Sequence, residues 1–266
     1  MTLVEALVIA VIEGVTEFLP VSSTGHMILA SSWFGIQEDS FTKSYLIIIQ
    51  FGAILSVVTL YWRRFLVGPK FYLKLFVAFL PAAIIGLLFG DHIDALLESA
   101  NTVAISLVVG GAVLIWSDYW KIKPPVPLAV DATSKLVNDK KLDETFSSSQ
   151  ALKVGFAQCF ALIPGVSRSG ATILGGILTG ASRTYAAEFS FFLAVPTMFA
   201  ATVYKIWKTP TPFSSDEIQL LIIGNVVAFV VAMLAIKTFI GLLQRFGFKW
   251  FGIYRIILGS FVLIFQ

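Results

Sequence analysis

The feature that most constrains this chain is a series of six mostly apolar runs, each close to the length a helix needs to cross a bilayer. They lie near 44–62, 71–90, 102–120, 189–207, 218–240 and 250–266. About 20 apolar residues span the hydrocarbon core as a helix. The runs are continuous rather than alternating, which excludes a β-barrel. Only 13% of the 266 residues are charged, too few to cover the surface of a soluble domain. Trp62, Trp116, Trp120, Trp207 and Trp250 fall near the ends of runs, as an interfacial aromatic belt expects. A net charge of +3 without a basic patch gives no footprint for nucleic acid. The single cysteine, Cys159, excludes an internal disulfide and reads as a packing residue. Met1 to Glu5 lack a basic leader, so no cleaved signal peptide is expected.

Two further apolar segments, near 3–36 and 151–181, are broken by small polar centres. The first holds Glu13, Glu17, Pro20, Ser22, Ser23, Thr24, Gly25 and His26. The second holds Pro164, Gly165, Ser167, Arg168, Ser169 and Gly170. Each reads as a re-entrant helix–loop–helix, with irregular backbone at membrane depth shielded by protein.

The two segments are related. A shift of 145 positions carries Ser22 onto Ser167, Gly25 onto Gly170, Ile28 onto Ile173 and Gly35 onto Gly180. It carries Thr24 onto Ser169 and Glu13 onto Gln158, and the starts of the runs follow. The expected architecture is an all-α integral membrane protein with an inverted-topology repeat. Each half has one re-entrant helix pair and three transmembrane helices, giving six full spans. Residues 1–120 form the first repeat, 121–150 a hydrophilic cytoplasmic loop and 151–266 the second repeat, all within one membrane domain.

Charge placement orients it. Loops near 63–70, 121–153 and 241–249 hold most of the Lys and Arg, whereas those near 37–43, 91–101 and 208–217 are mainly acidic. The basic side faces the cytoplasm, so both termini face outward.

Ionisable groups inside a membrane are costly and usually functional. Glu13 and Glu17 are four residues apart on one helix face, so something positive must lie between them. A divalent cation (Mg²⁺ or Ca²⁺) suits carboxylate and phosphate oxygens together, and Arg168 is the other candidate. Ser22, Ser23, Thr24, Ser167, Ser169 and Thr172 offer hydroxyls. Gly25 and Gly170 let backbone approach and open new helices, whose N-termini favour anions. Arg168 supplies a fork for phosphate oxygens. Such a set can cleave a phosphoanhydride, with Ser23 as nucleophile, Glu17 as its base and His26 as acid or phosphate ligand. Attack by a metal-bound water is the competing version, and the sequence does not separate Ser22 from Ser23. A transporter or lipid-phosphate flippase is the rival class. Arg255, inside the last run, requires a partner or a lipid headgroup. Arg183 and Glu188 read as an interfacial pair. Gly110, Gly111, Gly175 and Gly176 read as close-packing positions.

The motifs EGVTEFLPVSSTGH at 13–26 and PGVSRSGAT at 164–172 resemble the two signatures of the undecaprenyl-diphosphate phosphatase, or bacitracin-resistance, family. The resemblance covers essentially the whole chain. It implies removal of the terminal phosphate of undecaprenyl diphosphate, which recycles the lipid carrier for peptidoglycan synthesis, with a divalent cation required. It places the family's acidic positions on Glu13 and Glu17, its candidate nucleophile on Ser23, its histidine on His26 and its arginine on Arg168. Its phosphate-contacting positions fall on Ser167 and Thr172. It implies a multi-pass protein of the bacterial cytoplasmic membrane, its site open to the outer face and in contact with membrane lipid. Bacitracin would compete for the substrate rather than bind the protein. A homodimer is left open.

Overall fold

A computed structural model describes residues 1–66, 68–97, 99–119, 146–209 and 212–265. Trp120, Gln266 and most of the expected 121–150 loop lie outside the described residues. Every regular element among the described residues is helical.

The first helix, α1 (Leu3–Thr16), starts in a capping box: the Glu5 N–H donates to Thr2 Oγ1, and the Thr2 N–H donates to Glu5 Oε2 at 2.6 Å. A turn containing Pro20 ends it, and α2 (Ser23–Trp33) begins at once. In the second half, α8 (Ser148–Cys159) opens with the same device, Ser147 with Gln150, and α9 (Arg168–Leu178) follows a second turn. The helix therefore begins inside the 121–150 stretch expected to be loop, because Ser147 can cap it.

Between these pairs lie α3 (Ser40–Ile48), α4 (Gln50–Leu60), α5 (Pro69–Leu88), α6 (Gly90–Leu97) and α7 (Ala100–Ser117). After α9 come α10 (Arg183–Lys208), α11 (Ser215–Phe246) and α12 (Lys249–Phe265). Four helical segments are long and apolar enough to cross a membrane: Ser40–Leu60, Pro69–Leu88, Arg183–Lys208 and Ser215–Leu243. They match four of the six expected runs. The other two fall on α7 and α12, of 18 and 17 residues.

Three boundaries differ from expectation. The first span is interrupted at Ile49. The segment read as an outer loop near 91–101 contains α6, opened at Gly90. Helix α11 runs through the expected 241–249 loop to Phe246, because Gly241 alone does not stop it and the chain turns only at Gly247, whose φ is 67°.

The packing brings distant segments together. Helix α1 lies along α11, α8 along α5, and α7 along α12. Small residues make these approaches tight. A Cβ at Gly111 would sit 2.6 Å from the Gly252 carbonyl oxygen, and one at Gly155 would sit 2.5 Å from that of Ala78. The expected close-packing glycines behave the same way, since a Cβ on Gly175 or Gly176 would meet the Cβ of Ala157 or Ala186 within 3 Å. One core gathers Phe18, Ala53, Phe191, Phe192 and Phe239; the other gathers Ile9, Met27, Tyr45, Ile49 and Leu107. Outside them lies a broad apolar girdle, with Leu88, Val230, Leu234 and Ile257 at least half exposed. Apolar exposure of this extent needs lipid rather than water. The chain is a multi-pass membrane protein.

Candidate active site

Each broken segment makes its turn the same way. Ser22 and Ser167 have φ of 72° and 79°, and they are the two non-glycine residues in that region among the described residues. Each caps the helix after it: Ser22 Oγ accepts from the Gly25 N–H and Ser167 Oγ from the Gly170 N–H, at 3.3 and 3.1 Å. Left-handed backbone costs a β-carbon residue of order 1–3 kcal/mol and persists where the surroundings fix it, commonly at functional sites. The caps take one first-turn N–H from each helix. Those of Ser23, Thr24, Arg168 and Ser169 have no acceptor within their own helices.

The two helix starts face one another. Ser169 Oγ crosses from the second turn to donate to the Leu19 carbonyl at 2.7 Å, and it pairs with Ser167 Oγ at 3.0 Å. Arg168 reaches the first segment as well. Its Nη2 donates to Glu17 Oε1 at 2.6 Å, and its Nη1 donates to the Ser190 carbonyl at 2.9 Å. The Ser23 hydroxyl donates to the other oxygen of Glu17 at 2.5 Å. A buried carboxylate thus joins a serine hydroxyl to a guanidinium. The Arg168 Nε is buried without a partner, a donor available to a ligand. Thr172 holds this arrangement from behind, donating to the Arg168 carbonyl at 2.8 Å and pairing with Ser190 Oγ at 2.7 Å.

Glu13 is fully buried, one turn before Glu17, and neither of its carboxylate oxygens has a hydrogen-bond partner. Its polar neighbours are Glu17, Ser23 and Arg168. Two adjacent buried carboxylates, one of them with both oxygens unused, fit a hard divalent cation that completes its shell with phosphate or water. No cluster of three His, Cys, Asp or Glu exists among the described residues, so protein ligands alone would not enclose the ion.

His26 occupies a different place. Its Nδ1 is 2.7 Å from the Ser22 carbonyl, and its Nε2 is 2.7 Å from the Tyr254 hydroxyl, with the two rings stacked. The carbonyl can only accept, so Nδ1 carries the proton and Nε2 accepts from tyrosine in the neutral ring. Tyr254 was not singled out from sequence, since a tyrosine in an apolar run carries no signal of its own.

Arg255 is the other residue whose role the sequence did not reveal. Its guanidinium is buried in the middle of the protein and donates to five carbonyls: Pro20, Gly165, Val166, Ser106 and Leu107, at 2.7–3.4 Å. It ties both turns to α7. The partner it required is backbone. Arg183 pairs with Asp118 at 2.8 Å, and Asp118 also accepts from the Phe248 and Lys249 N–H groups at the start of α12.

A cavity of about 250 Å³ opens at the junction. Glu17, Ser22, Ser23, Thr24, Ser167 and Arg168 line its polar end. Ile47, Ala82, Ile93, Leu162 and Met198 line its apolar part, and Lys205 and Lys208 stand along it. Glu13, His26, Gly25, Ser169, Gly170 and Thr172 do not line it; they surround or support the residues that do. A cavity with an anion-binding end and an apolar flank suits a phosphate attached to a hydrocarbon chain.

Residues 6–261 match the family profile described as bacitracin resistance protein BacA. The chain is similar to proteins named undecaprenyl-diphosphatase. That of Flavobacterium johnsoniae is 55% identical over 267 residues, covering 99% of this chain and 96% of the relative. That of Flavobacterium psychrophilum is 54% identical with the same coverage. That of Bdellovibrio bacteriovorus is 52% identical over 264 residues, again covering 99% and 96%.

Proposed function

The chain belongs to the bacitracin resistance protein BacA family, and from that premise we propose how its residues release the terminal phosphate of undecaprenyl diphosphate. The activity is that of an undecaprenyl-diphosphatase, as in relatives more than half identical to this chain. One observation carries the mechanism. The Ser23 hydroxyl lies 2.5 Å from Glu17, and Glu17 lies 2.6 Å from Arg168, at the polar end of a cavity shared by two helix N-termini.

The terminal phosphate sits against the Arg168 side chain and the N–H groups of Ser23, Thr24 and Arg168. Its arrival gives Arg168 a second anion to bind, and the free Nε is available for it. Ser23 Oγ then attacks the terminal phosphorus while its proton passes to Glu17. The anhydride P–O bond breaks, and undecaprenyl phosphate leaves as an anion needing no proton. Water next attacks the phosphoserine; as the P–O bond to serine breaks, Glu17 returns its proton to Ser23 Oγ, and the water's protons leave on the inorganic phosphate. Ser22 holds the turn that aims Ser23. Glu13 and Glu17 would hold the divalent cation, which supplies charge neutralisation at the phosphates. His26, held by Ser22 and Tyr254, fixes the start of α2.

The membrane arrangement belongs to the same proposal. The two broken segments are re-entrant hairpins entering from opposite faces, and α7 and α12 complete six spans. Several features support this. Both hairpins share capping boxes, left-handed serines and C-terminal glycine turns at an offset of 145, with Gly35 N–H to Ser32 and Gly180 N–H to Ile177. The α1–α11 pairing is mirrored by α8–α5. Asp118, Arg183 and the start of α12 meet at the end assigned to the cytoplasm. That Ile93, Lys205 and Lys208 line the cavity supports an opening toward the outer end.

The test is phosphate release from C55 isoprenyl diphosphate by purified protein, with Mg²⁺, with Ca²⁺ and with EDTA. Release that needs metal and is lost in Glu17→Gln and Arg168→Ala supports the proposal. No release by the parent protein under any metal overturns it and favours a transporter.

A further inference from the structure

A diphosphate needs two anion sites. The residues above hold the terminal phosphate; the phosphate that stays on the lipid must rest elsewhere in the same cavity. Gln158, in the last turn of α8, is 2% exposed, lines that cavity, and has a side-chain Nε2 with no partner. An unpaired buried amide N–H is expensive, on the order of 1–3 kcal/mol, and asks for an acceptor. The other end of the amide, Oε1, faces Thr197 Oγ1 at 3.4 Å, a hydroxyl whose one proton goes chiefly to the Leu193 carbonyl at 2.8 Å. With its oxygen toward that hydroxyl, the –NH₂ points away from Thr197. Thr197 lines the cavity too, next to the apolar Leu162 and Met198. The residue that carries this amide thus lines the same cavity as Ser23 and Arg168, beside the apolar lining a lipid chain would follow.

The repeat gives the position a second meaning. The offset of 145 that pairs Ser22 with Ser167 pairs Glu13 with Gln158. The half with the serine–carboxylate pair carries an acid there; the other half carries a neutral donor. An acid there would repel a phosphate, whereas an amide binds it.

Resting on the phosphatase reading, we propose that Gln158 donates through Nε2 to the lipid-proximal phosphate and thereby binds both the substrate and the monophosphate product. Three constants separate this from a structural role: KM for C55 diphosphate, the inhibition constant of C55 monophosphate, and that of orthovanadate, which mimics only the terminal phosphate. Gln158→Met keeps the shape without the donor, and Gln158→Glu keeps a polar group with the wrong charge. In both, the two lipid constants should rise by about tenfold or more, the loss of one hydrogen bond to a charged group. The orthovanadate constant and kcat should stay near the parent's. Unmoved lipid constants would overturn the assignment, as would an orthovanadate constant that rises alongside them. Melting curves of both variants identify misfolding, and a folded Glu variant suffices if the Met variant does not fold. A parent without phosphatase activity would remove the underlying reading; an active parent with unmoved variants would remove only Gln158.

Discussion

Replacing Arg255 with lysine separates a charge from the hydrogen-bond fork that this protein uses. The guanidinium fills a space against Gly110 so closely that a Cβ there would lie 2.2 Å from Nη2. It makes five bonds to carbonyls, three of them on the two turns that carry Ser23 and Arg168. An ammonium has three donors, so at least two bonds are lost and their carbonyls stay buried. At about 1.5–3 kcal/mol for each hydrogen bond to a charged group, the loss is about 3–6 kcal/mol, comparable to the whole stability of many domains. The variant should melt several degrees lower in detergent. Well below its melting point it should also release phosphate from C55 diphosphate more than about tenfold slower, because misplacing catalytic groups by an ångström costs more than that. Thermal unfolding and kcat measured on the same preparation check both. A folded Arg255→Lys with the parent's kcat would refute the idea that Arg255 positions the turns.

Asp118→Ala is the control for that experiment: it removes the Arg183 ion pair and two N–H acceptors at α12, so it should lower the melting temperature yet leave kcat near the parent's at low temperature. Gly52→Ala would push a methyl to 2.2 Å from the Asn225 carbonyl, and the α4–α11 contact should lose about 1–3 kcal/mol or more, read as a lower melting temperature. Glu13→Gln replaces a buried carboxyl group that has no hydrogen-bond partner with a neutral amide of the same shape, so the metal-free protein should melt no lower than the parent. Its stabilisation by excess Mg²⁺ or Ca²⁺ should disappear, and phosphate release should fall by about tenfold or more. An unchanged cation-dependent shift in that variant would remove Glu13 as a ligand.

Much of this was legible in the sequence because membranes allow few solutions. Long apolar runs gave four spans, and polar interruptions at Pro20 and Pro164 marked the two turns. Ionisable residues at membrane depth pointed to Glu17, Ser23 and Arg168, which do meet. The missing parts are those that depend on tertiary contact. Nothing at Ile49 announces the break between α3 and α4, and nothing marks α6 as helical, since Gly90 and the charges after it also suit a loop. Arg255 reads as a charge needing a partner or a lipid headgroup, but its partners are main-chain carbonyls that carry no residue signal. Tyr254 finds His26 across 228 positions, a pairing that no local spacing encodes. Ser169 and Thr172 stood out as phosphate ligands; their hydroxyls are engaged in joining the turns to Leu19 and Ser190.

The most direct measurement is phosphate release from C55 isoprenyl diphosphate by Ser23→Ala beside the parent, both with Mg²⁺ and both shown to be folded. In the proposed mechanism Ser23, hydrogen-bonded to Glu17, is the attacking group, so the variant should lose at least about a hundredfold in kcat. Substantial release by folded Ser23→Ala would contradict that account and leave Glu17 activating water instead.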